Sequence, residues 1–149
     1  MNTTIDTRTA PYAALLLRVS LGIMFLAHSA YLKLFVFTLP GTAQYFGSLG
    51  LPAESAYLVF AAETVGGLAL ILGFQTRTVA VFLIPVLLGA TWAHSGNGWV
   101  FSADGGGWEY PLFLLAATAV QALLGGGAHA VTTREPVVDA ILKRLKFAV

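Results

Sequence analysis

Phe60-Ala61-Ala62-Glu63-Thr64-Val65-Gly66-Gly67-Leu68 decides the fold, because it sets one carboxylate inside an otherwise apolar run from Ala56 to Phe74. Such a run is long enough to cross a bilayer as a helix, which takes about 20 mostly apolar residues. A lone acid near its middle costs about 2.5–3.5 kcal/mol or more, so Glu63 must face protein, find a partner or take up a proton. At about 100° per residue, Glu63, Gly66, Gly67 and Leu70 share one face. The two glycines let a second helix come close there. Two readings of Glu63 stand side by side. One is a hydrogen bond that orients neighbouring helices; the other is a site for a proton, a quinone or a transported solute.

Composition extends this reading to the whole chain. Of 149 residues 57% are hydrophobic and 10% charged, against about 25% charged in a soluble domain, so the sequence reads as a one-domain integral membrane protein. No sustained patch of Lys and Arg suits nucleic acid. The chain has no cysteine, which removes disulfides, CxxC redox chemistry and iron–sulfur ligation by its own thiolates.

The pattern predicts an all-α, four-helix membrane bundle. Residues 1–11 form a polar tail without the pattern of a signal peptide. The four-span domain covers 12–127, with helices over about 12–37, 56–74, 78–94 and 109–124. Residues 128–149 form a basic amphipathic tail suited to a headgroup surface. Between the first two spans, Tyr45, Phe46 and Leu49 make the loop apolar enough for a short interfacial helix, and Pro52 introduces the second span. Gln75-Thr76-Arg77 is a very short turn, so spans two and three form an antiparallel hairpin. Pro85 interrupts span three and is expected to kink it. Pro111 fits the first turn of span four, where Glu109 is favoured by the helix dipole.

Orientation follows from the basic residues. Four spans gather Arg8, Arg77, Arg134, Lys143, Arg144 and Lys146 on one side, with Glu54, Asp104 and Glu109 on the other. The positive-inside rule then puts both termini in the cytoplasm. Depth assigns the polar residues next. His28, His94 and Glu109 fall in the outward half, Glu63 near the middle, Arg18 and Gln121 in the inward half. Lys33 is expected to snorkel to the interface. Arg18 lies deeper and is expected to reach Glu63. No local spacing suits a metal, and one histidine on each of two helices disfavours haem between His28 and His94. An apolar crevice with a few convergent polar groups, such as a quinone pocket, fits the set better.

Several pieces, in this order and spacing, carry a resemblance. They are Arg18-Val19-Ser20-Leu21-Gly22, the segment from His28 to Lys33-Leu34-Phe35, Gly50-Leu51-Pro52, and Glu63-Thr64-Val65-Gly66-Gly67. Leu72-Gly73, Thr76-Arg77, Ala90 with His94, and Glu109-Tyr110-Pro111 follow. From Leu17 to Gly127 the chain resembles the DoxX family of small four-span bacterial membrane proteins. The family pattern often ends in a Ser-Leu-Asp-like sequence; here Gly127 is followed by Ala128-His129-Ala130, and no role is carried over to an acid there. The resemblance implies the bundle and a polar core of Arg18, Glu63, Arg77, His94 and Glu109. Some relatives are subunits of thiosulfate:quinone oxidoreductase, and others are linked to membrane redox and oxidative-stress complexes.

The expected function is a membrane subunit supporting a quinone-linked redox complex, with protein partners or as a homo-oligomer, and not a complete enzyme alone. The candidate pocket residues are Arg18, His28, Glu63, Arg77, His94 and Glu109. A small-solute or proton carrier, and a structural scaffold for partner proteins, are the alternatives.

Overall fold

The computed structural model describes residues 5–131 together with Glu135 and Val138. Those residues are helical or irregular, with no strand among them. The long helix α1 spans Ala10–Leu26 and continues, as a π-helix, through Ala27–Val36. A short α2 covers Leu39–Ser48, α3 Ser55–Leu72, α4 Thr76–His94 and α5 Glu109–Leu124. Three helical stretches are long and apolar enough to cross a membrane, Ala10–Val36, Ser55–Leu72 and Thr76–Asn97, whereas α5 is apolar but shorter.

The helices pack in a closed order, α1 on α3, α3 on α4, α4 on α5 and α5 back on α1. Glycine makes the first of these contacts close. A Cβ on Gly22 would stand 2.7 Å from the Gly67 carbonyl oxygen, and one on Gly67 would stand 2.9 Å from that of Gly22. On the same face Gly66 receives Leu83 of α4. Leu21, Phe25, Leu70, Leu83 and Leu87 form the apolar core between the helices. Outside it, Leu16, Ile23, Leu58, Val65, Phe82 and Phe113 are all exposed, an apolar surface that fits lipid and not water.

Helix ends are set by backbone chemistry. α3 stops at Gly73, whose φ of 71° is left-handed; its N–H bonds the Leu70 carbonyl and that of Phe74 bonds Ala69, the paired closure that glycine permits. α2 begins at Thr38, which takes a φ of 62° and accepts a hydrogen bond from the Gly41 N–H at 3.2 Å. The helix anticipated in this apolar loop is therefore present. α2 packs against α3 and the π-helical segment. The amphipathic tail expected over residues 128–149 lies outside the described residues apart from its beginning and positions 135 and 138.

Candidate functional site

A cavity of about 620 Å³ opens between α1, α2, α3, α4 and the start of α5. Its walls are apolar, supplied by Phe25, Phe46, Val59, Leu87 and Leu114 among others. Into that lining project His28, Lys33, Glu63, His94 and Tyr110. Of the six residues singled out from sequence, the cavity brings together three: His28, Glu63 and His94.

Glu63 has a partner, but it is Lys33. The Lys33 ammonium donates to Glu63 Oε2 at 2.7 Å, with the two side chains 16% and 8% exposed. Lys33 also donates to the His28 carbonyl oxygen at 3.4 Å. The expectation that Lys33 reaches out to the interface is thus corrected. Lys33 belongs to the π-helical segment. α-helical spacing already sets it on the side of Arg18, Phe25 and Ser29, which are buried. The difference is in where the ammonium goes, to an acid on α3 and not along the helix to the interface.

Arg18 is buried, yet the expected pair with Glu63 is not formed. Its guanidinium donates instead to backbone carbonyls: Nε to Gly126 at 2.8 Å, Nη1 to Leu70 at 2.8 Å and to Ile71, and Nη2 to Ala128 at 3.1 Å. Leu70 and Ile71 belong to the last turn of α3, where carbonyls have acceptor capacity to spare and the dipole is negative. Glu63 lies seven residues earlier on that helix, about 10 Å along its axis. Helix-end carbonyls therefore outcompete a carboxylate that is too far away.

The other two candidates also stand apart from the cavity lining. The Arg77 side chain lies against the Gly125 turn. Its backbone N–H donates to Glu135 Oε1 at 2.9 Å, while Glu135 Oε2 accepts from the Thr78 N–H at 2.9 Å and its hydroxyl at 3.1 Å. Glu135 is a buried cap on the N-terminus of α4 that the sequence reading missed, having assigned it to a surface tail. Glu109 accepts from the Phe101 N–H at 2.8 Å and so holds the loop before α5.

His94 and Tyr110 have more specific surroundings. His94 Nδ1 lies 3.0 Å from the carbonyl oxygens of both Gly105 and Gly106. Carbonyls only accept, so Nδ1 carries the proton, and in the neutral ring Nε2 is an acceptor. Tyr110 stacks on His28 with ring centres 5.8 Å apart. Its hydroxyl is shut off from solvent with no partner among the described residues, as are Ser29 Oγ, Thr76 Oγ1, Thr118 Oγ1 and Gln121 Oε1; of these residues Tyr110 alone lines the cavity. Among the described residues no group of His, Asp or Glu is arranged to hold a metal.

The DoxX family profile matches residues 13–96, more than half of the chain. The chain belongs to the DoxX family. Two relatives carry names. "Putative oxidoreductase CatD" of Bacillus subtilis is 45% identical over 76 residues, 51% of this chain and 54% of that protein. "Inner membrane protein YqjF" of Escherichia coli is 31% identical over 97 residues, 61% of this chain and 69% of that protein. The match to the first of them spans only about half of its length. No solved structure matches. This DoxX protein is a membrane protein, as its apolar helices and its family agree.

Proposed function

We propose that this DoxX protein is a four-span bundle of a bacterial inner membrane and serves as the membrane subunit of a quinone-linked redox complex. α5 is the fourth span, and both termini face the cytoplasm. Support for that topology comes from one end of the molecule, where the start of α1 meets the chain beyond α5. There Ala128 donates to the Pro11 carbonyl at 2.9 Å and Val131 to that of Leu72 at 3.2 Å. Arg8 and Arg77 belong to this same end, as the positive-inside rule requires of a cytoplasmic face.

The observation that carries the functional reading is the Lys33–Glu63 pair set in the wall of an apolar cavity of about 620 Å³. Ligand sites are commonly apolar clefts of about 300–1,000 Å³ with a few placed polar groups. A quinone, a flat apolar ring edged with oxygens, has that chemistry. Here Glu63 is the hydrogen-bonding and proton-accepting group, Lys33 holds it in place, and His28 and His94 complete the polar edge. The word oxidoreductase in the name of the Bacillus subtilis relative supports the class of chemistry. The chain supplies the pocket, and a partner protein supplies the electron-transfer cofactor.

The test is to delete the chain from its host and restore it as wild type or as Glu63→Gln, at matched protein levels. Quinone-dependent redox activity of isolated membranes is expected to fall on deletion, to return with wild type and not to return with Glu63→Gln. Activity indifferent to the deletion refutes the proposal.

A further inference from the structure

The polar groups around the cavity are unevenly used. Lys33 already donates to Glu63 Oε2 and to the His28 carbonyl. Glu63 Oε1, by contrast, has no hydrogen-bond partner among the described residues, although Glu63 lines the cavity. An ionised carboxylate only accepts. His94 lines the same cavity, and its Nδ1–H is committed to the Gly105 and Gly106 carbonyls, which makes Nε2 of the neutral ring a second acceptor. The cavity thus has two spare acceptors against one spare donor, the third hydrogen of the Lys33 ammonium. Lys33 and Glu63 also cancel each other's charge at 2.7 Å, so nothing there calls for an ionic ligand.

We propose that the cavity takes the reduced, hydroxyl-bearing form of a quinone in preference to the oxidised form, with Glu63 Oε1 accepting a hydrogen bond from a ring hydroxyl. This rests on the reading of the cavity as a quinone site and adds which oxidation state it favours. The hydroxyl of a quinol fills an acceptor that is otherwise unpaired. The carbonyl of a quinone would set one lone pair against another and leave the carboxylate oxygen without a donor, and such unmade bonds are what polar sites discriminate against most strongly. Because the two forms differ by two electrons, a preference between them is also a shift in midpoint potential. Tighter binding of the reduced form raises the potential of the bound couple, by about 30 mV for each tenfold in affinity.

The experiment uses the full chain reconstituted in phospholipid vesicles without oxygen, and three probes of matched shape. These are decylubiquinol, decylubiquinone and the dimethyl ether of the quinol, whose ring oxygens cannot donate. Dissociation constants are read by quenching of tryptophan fluorescence. Decylubiquinol is expected to bind about tenfold more tightly than either of the others, the worth of one good hydrogen bond. The bound couple then titrates about 30 mV above the free couple. In Glu63→Gln, where an amide can turn either a donor or an acceptor toward the ligand, the preference should shrink toward unity.

Equal or tighter binding of decylubiquinone overturns the preference and leaves the cavity reading in place. If the dimethyl ether matches the quinol, the donated hydrogen bond is not the cause and the inference falls. Retention of the full preference in Glu63→Gln overturns the role given to Glu63. Failure of all three probes to bind removes the quinone site itself, and the inference with it. The comparison among probes is made on the unaltered protein, so it stands even if the variant does not fold.

Discussion

The two ends of the molecule neutralise buried charge in opposite ways. At the end where α3 meets α4, Arg18 and Glu135 are held by backbone groups: four carbonyls for the guanidinium, two amides and a hydroxyl for the carboxylate. Both sit against helix termini, whose free carbonyls and N–H groups suit those charges. At the other end Lys33 and Glu63 are held by each other, beside a cavity. A charge tied to backbone secures the chain's path and has nothing left to give. A pair facing a void can exchange partners with whatever enters. Arg18 and Glu63 look alike in sequence, as lone charges in apolar helices, yet they belong to these two different classes.

That contrast breaks most readily at Arg18. Arg18→Met strips donors from four carbonyls at once and should cost on the order of 4 kcal/mol. A thermal melt in detergent should show little folded protein; a melting point near that of wild type would mean that this end is not the structural one. Lys33→Met comes next, at about 3 kcal/mol, because it leaves the carboxylate buried without its cation. Adding Glu63→Gln to it should restore most of that loss, since removing both charges is far cheaper than removing one. The double variant should then melt near wild type while losing the tenfold preference for quinol. A double variant no more stable than Lys33→Met would show that the two side chains are not coupled. Glu135→Ala should cost about 1–2 kcal/mol, the worth of a helix cap, and hydrogen exchange should quicken at the Arg77 and Thr78 amides.

How much of this was legible in the sequence differs between the same two ends. Glu63, Gly66 and Gly67 were readable because α-helical periodicity holds through α3, and the close approach at Gly67 is where the pattern put it. The three long apolar stretches were readable from hydropathy alone. For Lys33, α-helical spacing gave the face it shares with Arg18, Phe25 and Ser29 but not the partner, because a lysine near a helix end has a chain long enough to reach the interface as well as a neighbouring acid. Arg18 was expected to turn into the bundle, and it is buried there with a different partner. Charge matching looks for a carboxylate, whereas helix-end carbonyls carry no mark in sequence. Glu135 was hidden for a similar reason, since its partners are backbone amides of a turn far away in the chain.

The smallest expected effect sharpens the contrast most, because it asks about a single oxygen atom. Tyr110 lines the cavity, and its hydroxyl is shut off from solvent with no partner among the described residues. If its role were to hold the fold, Tyr110→Phe would lose stability. With no bond to lose, the change should be neutral or stabilise by up to about 1 kcal/mol, as removing an unsatisfied buried donor does. The stack on His28 needs only the ring and should persist. A melting temperature equal to or above that of wild type, measured without ligand, is the expected result. A clear fall would assign the hydroxyl to structure and move Tyr110 into the class of Arg18. The same variant then reports on the ligand. Quinol affinity unchanged in Tyr110→Phe would confine recognition to Glu63 and the histidines, whereas weakened affinity at undiminished stability would make the hydroxyl part of the site.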